Sequence, residues 1–111
     1  MNKKFILLNE KSKLELLNYL PTTSQTDKLA GFFQAFSDPT RLKIISCLAM
    51  KDLCVNDLSN ILKINQTTIS HQLKYLKTQN LISSKRNGKI IVYSLKNLKT
   101  NDLLLTAVNA I

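Results

Sequence analysis

The segment from Asn65 to Asn80 carries the most specific chemistry in this sequence. Ile69, Leu73 and Leu76 recur at the spacing of one helix face, which predicts a helix with an inward apolar stripe. The front of its other faces holds uncharged hydrogen-bonding groups, namely Gln66, Thr67, Ser70 and His71. Such side chains at a helix start can bond base edges in the major groove. The pattern favours a DNA recognition helix, with an ordinary amphipathic surface helix as the alternative.

Basic side chains follow that polar front. Lys74 and Lys77 lie further along the same predicted helix, where ammonium groups can reach phosphates. The chain has 16 Lys and Arg against 7 Asp and Glu, a formal net charge of +9, and no acid occurs between Asp57 and Asp102. A positive field of this kind favours nucleic acid as the partner. An AT-rich genome, which encodes many lysines, is the alternative source of the charge.

The two cysteines, Cys47 and Cys54, are seven residues apart, which matches neither a disulfide framework nor a metal knuckle. Cys47 lies in an apolar segment, where a free cysteine is most often a small core residue. Cys54 lies at a predicted helix start, where a thiolate is favoured, so it is the candidate thiol sensor and Cys47 the second candidate. His71 has no second ligand at metal spacing, which favours DNA contact over a neutral surface role.

No catalytic arrangement is indicated. The seven acids and the one histidine include no set of nucleophile, base and orienting group, no paired carboxylates are found, and no glycine-rich phosphate loop occurs. We expect no enzymatic activity and no cofactor. The apolar run from Phe5 to Leu8 stops at Asn9, so we also expect no signal peptide, no membrane span and a cytoplasmic protein.

These groups must be positioned by one small domain, since the chain has 111 residues and is 44% hydrophobic. Residues 1–11 show no periodicity and are expected to form a flexible arm before a domain over 12–111. Ser12 and Glu15 have capping-box spacing, which predicts a short helix ending at Pro21.

A second helix is predicted from about Asp27, after a polar connection over residues 22–26. Its apolar stripe is unusually aromatic and consists of Leu29, Phe32, Phe33 and Phe36. Asp38 and Pro39 then predict a third helix, with the aspartate as cap and the proline at the first helical position. Its core-facing residues are predicted to be Leu42, Ile45, Leu48 and Ala49.

A helix-turn-helix is predicted next. Asn56 is expected to cap a short helix whose buried residues are Leu58, Ile61 and Leu62. The three residues 63–65 then lead directly into the helix with the polar front. Two helices joined by so short a turn, the second polar at its start, are typical of this motif.

After Asn80 the pattern changes to strands. The segments 81–86 and 89–95 flank Asn87 and Gly88, which predict a hairpin with a two-residue type I′ turn. Its basic tip carries Lys85, Arg86 and Lys89, placed as a wing to contact the DNA backbone or minor groove. The predicted fold class is mainly α with a small β-hairpin (α+β), a winged helix-turn-helix.

A last helix is predicted from Asn97. Its apolar residues, Leu103, Leu104, Ala107, Val108 and Ile111, exceed what a lone exposed helix tolerates, so we expect it to pack, most simply against a second copy. The expected dimer surface combines this helix with the aromatic one: Phe32, Phe33, Phe36, Leu103, Leu104 and Val108.

These segments resemble the ArsR/SmtB-type winged-helix repressors of bacteria. The matching blocks are FSDPTRLKII (36–45), DLCVNDLSNIL (52–62), NQTTISHQLKYLK (65–77), and RNGK with YSL (86–89, 93–95). The resemblance covers about residues 29–95 and extends to the last helix. It implies a homodimer that binds a partly palindromic DNA operator and leaves it when an inducer binds. It also places the base-reading positions at Gln66, Thr67, Ser70 and His71.

The inducer sites depart from the family's patterns. Where some metal-sensing members have E-L-C-V-C-D-L, this chain keeps Cys54 but has Asn56 in place of the second thiolate. A soft-metal or arsenic site needs two or three thiolates. In the last-helix zinc site, Asn97, Lys99 and Ala110 occupy ligand positions, and a protonated lysine repels a metal ion. We expect no tight metal site within the protomer, and the inducer remains unknown: thiol-reactive, organic, protein or none.

Two other functions remain as alternatives. A nonspecific architectural DNA-binding protein would fit the basic charge, but it would leave the uncharged front of the helix unexplained. A protein interaction module would use the phenylalanine-rich helix and would have little affinity for DNA at moderate salt.

Overall fold

In the computed structural model, which describes residues 7–111, six helices and one antiparallel hairpin are formed. The elements are α1 (Glu10–Tyr19), α2 (Thr23–Ala35), α3 (Pro39–Met50), α4 (Val55–Leu62), α5 (Gln66–Thr78), β1 (Ile82–Asn87), β2 (Ile90–Leu95) and α6 (Lys99–Ala110). The chain divides into two compact units, one ending at Ala30 and one from Gly31 to Ile111. The predicted fold class is confirmed.

The N-terminal unit contains α1 and most of α2. The cap of α1 is Asn9, whose side chain accepts from the Ser12 backbone N–H at 2.8 Å, so the predicted Ser12 cap is wrong. Asn9 is the cap because it lies three residues before that N–H, which its side chain can reach. Helix α1 therefore starts at Glu10. Within the predicted arm, residues 1–6 lie outside the described residues, whereas Glu10 and Lys11 are helical.

Helix α2 begins at Thr23, four residues before the predicted start at Asp27. A capping box explains the difference: Gln25 N–H donates to Thr22 Oγ1 at 3.2 Å, and Thr22 N–H donates to Gln25 Oε1 at 2.9 Å. The segment predicted as a polar connection is therefore the first turn of α2.

The core of the C-terminal unit lies between α3, α4, α5 and the hairpin. Its buried apolar residues are Ala35, Ile44, Ile45, Leu48, Leu58, Ile69, Leu73, Leu76, Ile82 and Leu95. The predicted stripe of α5 is fully buried, which confirms the helical periodicity. In α3, Ile45 and Leu48 are buried as predicted, while Leu42 and Ala49 are only partly buried.

Helices α3 and α4 differ in how well their caps were predicted. Asp38 caps α3 as expected, accepting from the Arg41 N–H at 3.0 Å, and Pro39 is the first helical residue. The cap of α4 is Cys54, so the predicted Asn56 cap is wrong. The carboxylate of Asp57 accepts from the Cys54 backbone N–H at 3.1 Å. This bond caps the helix at Cys54, so α4 starts at Val55, before the predicted cap.

The buried face of α4 is narrower than predicted. Leu58 is fully buried and Leu62 partly so, but Ile61 is 57% exposed, so its predicted burial is wrong. Val55, Leu58 and Leu62 share one face at helical spacing, and Ile61 lies to the side of that face. An eight-residue helix offers only one such face to the neighbouring α5.

The hairpin turn lies one residue later than predicted. The strands pair from Ile82 with Leu95 to Asn87 with Ile90, so the two loop residues are Gly88 and Lys89. Gly88 has φ +65° and Lys89 does not have positive φ, the pattern of a type II′ rather than a type I′ turn. Only one residue then needs the left-handed region, and glycine adopts it without strain.

The base of the hairpin is joined to the segment before α4. Leu53 and Tyr93 exchange two backbone hydrogen bonds of 3.1 and 2.8 Å as an isolated bridge. Past β2, the Asn97 side chain accepts from the Lys99 N–H at 2.9 Å, and α6 begins at Lys99 rather than at Asn97. Among the described residues, no helix is long and apolar enough to cross a membrane.

The contrast within α4 gives a stability prediction. Leu58→Ala should lower the free energy of unfolding by about 2 to 5 kcal/mol, because a fully buried side chain is replaced by a cavity. Ile61→Ala in the same helix is the matched control and should change it by less than about 0.5 kcal/mol. Urea unfolding without DNA measures both, and equal losses would contradict the exposed position of Ile61.

Candidate nucleic-acid interface

The front of α5 displays its polar side chains together. With the stripe of Ile69, Leu73 and Leu76 fully buried, the opposite surface faces solvent. The four predicted base readers, Gln66, Thr67, Ser70 and His71, are all exposed there. Their side chains make no hydrogen bond to other groups in residues 7–111. Each is therefore able to exchange hydrogen bonds with a partner that lies against this surface.

The cap of α5 holds that front in place. Asn65 is the last residue of the turn between α4 and α5, and its side chain accepts from the Thr68 N–H at 2.8 Å. One backbone donor that the first turn of α5 would leave unpaired is thereby satisfied. Lys63 ends α4 in the left-handed conformation, with φ 56° and ψ 46°. Ser59 Oγ donates to the Ile64 carbonyl and fixes the turn between the two helices. The three predicted turn residues are confirmed.

The predicted basic residues occupy two surfaces. Lys74 is exposed on α5, and Lys85, Arg86 and Lys89 are exposed around the hairpin tip. Lys77 differs, because its Nζ donates to Ser84 Oγ on β1 and so joins α5 to the hairpin. The structure thus brings the polar front of α5 and a basic hairpin into one unit. Within it, Lys77 carries a positive charge and also forms the hydrogen bond that joins α5 to β1.

A cavity of about 310 Å³ opens between α4, α5 and the hairpin. Its lining residues are Cys54, Val55, Asn56, Ser70, Lys89, Ile90, Ile91 and Tyr93. Ser70 belongs to the polar front, and Lys89 belongs to the basic tip. A double helix lying across both would therefore cover the mouth of this cavity.

The candidate sensor Cys54 is engaged by a neighbour. Its Sγ–H and its backbone N–H both donate to Asp57 Oδ2, each at 3.1 Å. The backbone bond, followed by the thiol bond, lowers the pKa of the Asp57 carboxyl from its ordinary value of 3.8. The side chain of Asp57 therefore carries a full negative charge beside the sulfur at neutral pH.

The second cysteine, Cys47, is half-buried in α3, and burial raises the pKa of its thiol from the ordinary 9.0. Its reactive thiolate form is thereby disfavoured. Across residues 7–111, no group of three His, Cys, Asp or Glu side chains is placed to hold a metal ion.

The sequence analysis missed Arg41. Its guanidinium donates from Nε to the Ala35 carbonyl at 2.8 Å, from Nη2 to the Gln34 carbonyl at 3.2 Å and from Nη1 to Gln72 Oε1 at 3.3 Å. It also lies over the Tyr75 ring, 4.4 Å from the centroid. The signal was available, because only Arg41 and Arg86 among the 16 basic residues are arginines. In a lysine-rich chain, an arginine indicates a site that needs a planar fork of donors.

The predicted dimer residues lie on α2, on the turn residue that follows it, and on α6, and these segments expose apolar surface. Phe32 packs edge-on against Phe33 at 5.5 Å and Phe36 at 4.8 Å between ring centroids, and Phe33 is 55% exposed. On α6, Leu103 and Val108 are exposed while Leu104 is partly buried. Both faces are available to a partner.

Comparisons with known proteins agree with this geometry. The family profile described as bacterial regulatory protein, arsR family, matches residues 38–84, from the cap of α3 into β1. The chain is 37% identical over 100 residues to the cadmium resistance transcriptional regulatory protein CadC of Listeria innocua, covering 89% of this chain and 80% of CadC. It is 42% identical over 71 residues to the transcriptional repressor SmtB homolog of Synechocystis, covering 64% of this chain and about half, 54%, of the homolog.

The fold has solved counterparts as well. The crystal structure of NolR from Sinorhizobium fredii matches with a TM-score of 0.72 at 27% identity, covering 82% of this chain and 95% of NolR. The resemblance found in the sequence is confirmed. The chain belongs to the arsR family of bacterial regulatory proteins, and it is a winged-helix transcriptional regulator.

Proposed function

We propose that this regulator is a sequence-specific repressor that binds a double-stranded DNA operator as a homodimer and leaves it when an inducer acts. The observation that carries the proposal is the polar front of α5, whose four side chains are exposed while the stripe behind them is fully buried. A helix held this way can enter the major groove without rearranging. The cytoplasm, where an operator is accessible, is the proposed location.

The proposed contacts divide by chemistry. Base edges would be bonded by four side chains that are polar, exposed and without hydrogen bonds to other groups in residues 7–111: Gln66, Thr67, Ser70 and His71. Lys74 on α5 and Lys85, Arg86 and Lys89 on the hairpin would bond phosphates or enter the minor groove, because ammonium and guanidinium groups neutralise backbone charge. Lys77 would add charge while its bond to Ser84 holds the hairpin beside the helix.

The homodimer is supported by apolar surface that one protomer leaves uncovered. Phe33 and Val108 are 55% and 67% exposed on α2 and α6, and burying such side chains against a second copy removes them from water. Two copies, each at +9, bring +18 to the DNA. A two-fold dimer also presents two recognition helices about 34 Å apart, one turn of the double helix.

For the inducer, we propose a thiol-directed signal at Cys54 rather than a tightly bound metal ion. One relative is named for cadmium resistance, yet here Asn56 stands where the metal-sensing pattern has a second thiolate. Cys54 lines the cavity that opens beside Ser70 and Lys89. A group added to the sulfur would extend into space next to two proposed DNA contacts.

The base-reading assignment predicts a difference between specific and random DNA. Gln66→Ala or His71→Ala should weaken operator binding by about 1 to 3 kcal/mol and leave binding to random DNA unchanged. Lys74→Ala and Arg86→Ala are the matched controls and should weaken both alike, each reducing the salt slope by about 1. Fluorescence anisotropy across a salt series measures this. Equal losses on both DNAs for all four variants would instead favour the architectural alternative.

The dimer predicts that charge on the apolar faces separates the protomers. Phe33→Glu or Val108→Glu should shift sedimentation equilibrium from dimer to monomer, because a carboxylate would be buried at the interface. Ile61→Glu is a matched control, since Ile61 is 57% exposed against 55% for Phe33. A wild-type protein that stays monomeric at micromolar concentration while binding its operator tightly would refute the dimer.

The thiol proposal predicts that a persulfide donor releases wild-type protein from the operator but leaves Cys54→Ser bound. Cys47→Ser should respond like the wild type, because burial disfavours the thiolate of Cys47. Gel-shift titrations with the donor, arsenite, cadmium and zinc measure the response. An unchanged response in Cys54→Ser would exclude the thiol, and release by trace zinc would restore a metal site.

A further inference from the structure

We propose that Arg41 is a positioning residue that couples the aromatic end of α2 to the recognition helix and thereby sets the half-site spacing that the dimer accepts. The proposal deepens the operator-binding function above and rests on it. Arg41 lies at the start of α3. Within residues 7–111, the hydrogen bonds and the ring contact of its guanidinium reach only α2 and α5, so its influence on DNA would pass through α5.

The guanidinium joins two helices that are far apart in sequence. Two of its nitrogens bond the Gln34 and Ala35 carbonyls, which belong to the last turn of α2. The third bonds Gln72 Oε1 on α5, and the ring of Tyr75 lies beneath the cation. All three nitrogens and one face of the group are therefore occupied.

The α2 end of this link lies inside the proposed dimer surface. Gln34 and Ala35 are flanked by Phe33 and Phe36, and Phe32 packs on both phenylalanines. The backbone carbonyls that Arg41 holds thus belong to the same turn as the exposed aromatic cluster. If a second copy packs on the last turn of α2 and tilts it, the Gln34 and Ala35 carbonyls that accept from Arg41 move with it.

The α5 end of the link lies beside the proposed base readers. Gln72 directly follows His71, and Tyr75 is one helical turn after His71. Both side chains are half-buried on one flank of α5, between the buried stripe and the exposed front. A contact to the side of a helix lies away from the helix axis, so it resists rotation of the helix about that axis.

The buried stripe sets that rotation only coarsely, by turning one face of α5 inward. Hydrophobic burial is non-directional, and Ile69, Leu73 and Leu76 hold α5 at its depth in the core. A hydrogen bond from a planar group is directional, and so is stacking of a cation on one ring. Lysine would keep the charge but lose the fork, because its single ammonium cannot bond all three acceptors in this geometry.

The experiment compares spacing preference in full-length proteins. Wild-type protein first selects duplexes from random-sequence DNA. The selected operator is then made with its two half-sites as found, moved one base pair closer and moved one base pair apart, with a single half-site duplex alongside. Arg41→Lys, Gln72→Met and the control Lys43→Arg are each titrated against the four duplexes.

Arg41→Lys is expected to bind the selected spacing roughly tenfold more weakly, a typical size for coupling between sites, and to lose its preference over the shifted spacings. Its affinity for the half-site should stay within about twofold, a change too small to signal a lost base contact. Gln72→Met removes only the bond from Arg41 to α5 and keeps its bonds to α2. It should therefore abolish the spacing preference as well, and it tests the coupling even if Arg41→Lys lowers the melting temperature. Lys43→Arg, at an exposed position of the same helix α3, should leave the preference intact.

Two results would overturn the proposal. A sharp spacing preference that survives unchanged in both Arg41→Lys and Gln72→Met would remove the coupling role and leave the repressor function standing. Equal loss on all four duplexes in Gln72→Met would show a direct DNA contact instead. A wild-type protein that selects no sequence would defeat the repressor function and this inference together.

Discussion

Burial of one side of α5 is the constraint on which the rest of the C-terminal unit depends. Ile69, Leu73 and Leu76 are fully enclosed, and α4 and β1 both contact the helix that carries them. Because side chains three and four residues apart share a helix face, burying these three leaves Ser70 and His71 facing outward. The same contacts that stabilise the core therefore orient the surface that we propose reads DNA.

Directional contacts supply what apolar packing leaves undetermined. The Arg41 fork restrains one flank of α5, and the Lys77 bond to Ser84 joins the helix to β1. The backbone bridge between Leu53 and Tyr93 connects the hairpin to the start of α4. Each contact fixes the position of an element in the proposed DNA interface. A typical hydrogen bond contributes only about 0.5 to 1.5 kcal/mol net to stability, but its directionality selects one orientation from several of similar burial.

The architecture was predictable wherever a pattern repeated. The three-residue apolar stripe of α5, the Asp38 and Pro39 start of α3 and the strand-like segment of β2 each carry a local signal, and each was confirmed. Errors arose where two local solutions compete within one or two residues. The first case is the cap of α1, where Asn9 and Ser12 compete and a hydrogen bond decides for Asn9. The second is the hairpin turn, where the strand pairing decides for a type II′ turn over Gly88 and Lys89 instead of a type I′ turn over Asn87 and Gly88. No single residue reveals either outcome.

The sites were less predictable than the elements that carry them. The exposure of the polar front followed from the stripe, but Arg41 draws its partners from α2 and α5, so only the folded chain brings them together. The burial of Ile61 was mispredicted for a similar reason, since the width of a short helix's buried face depends on its neighbour. Apolar periodicity identifies which surface faces outward, whereas long-range polar contacts have no sequence spacing to detect.

Cys54 matches a thiolate position of the family's metal-sensing pattern, but its contacts here are those of a local helix cap. It is the cap of α4, and the ionised carboxylate of Asp57 accepts from both its backbone N–H and its thiol. The backbone bond would persist after a change at sulfur, whereas the bond from the thiol would be lost with its proton. Chemistry at Cys54 would therefore alter the first turn of α4 without unfolding it, beside the cavity shared by Ser70 and Lys89. A signal received there would lie beside the helix and the hairpin that we propose contact DNA, with no second ligand required.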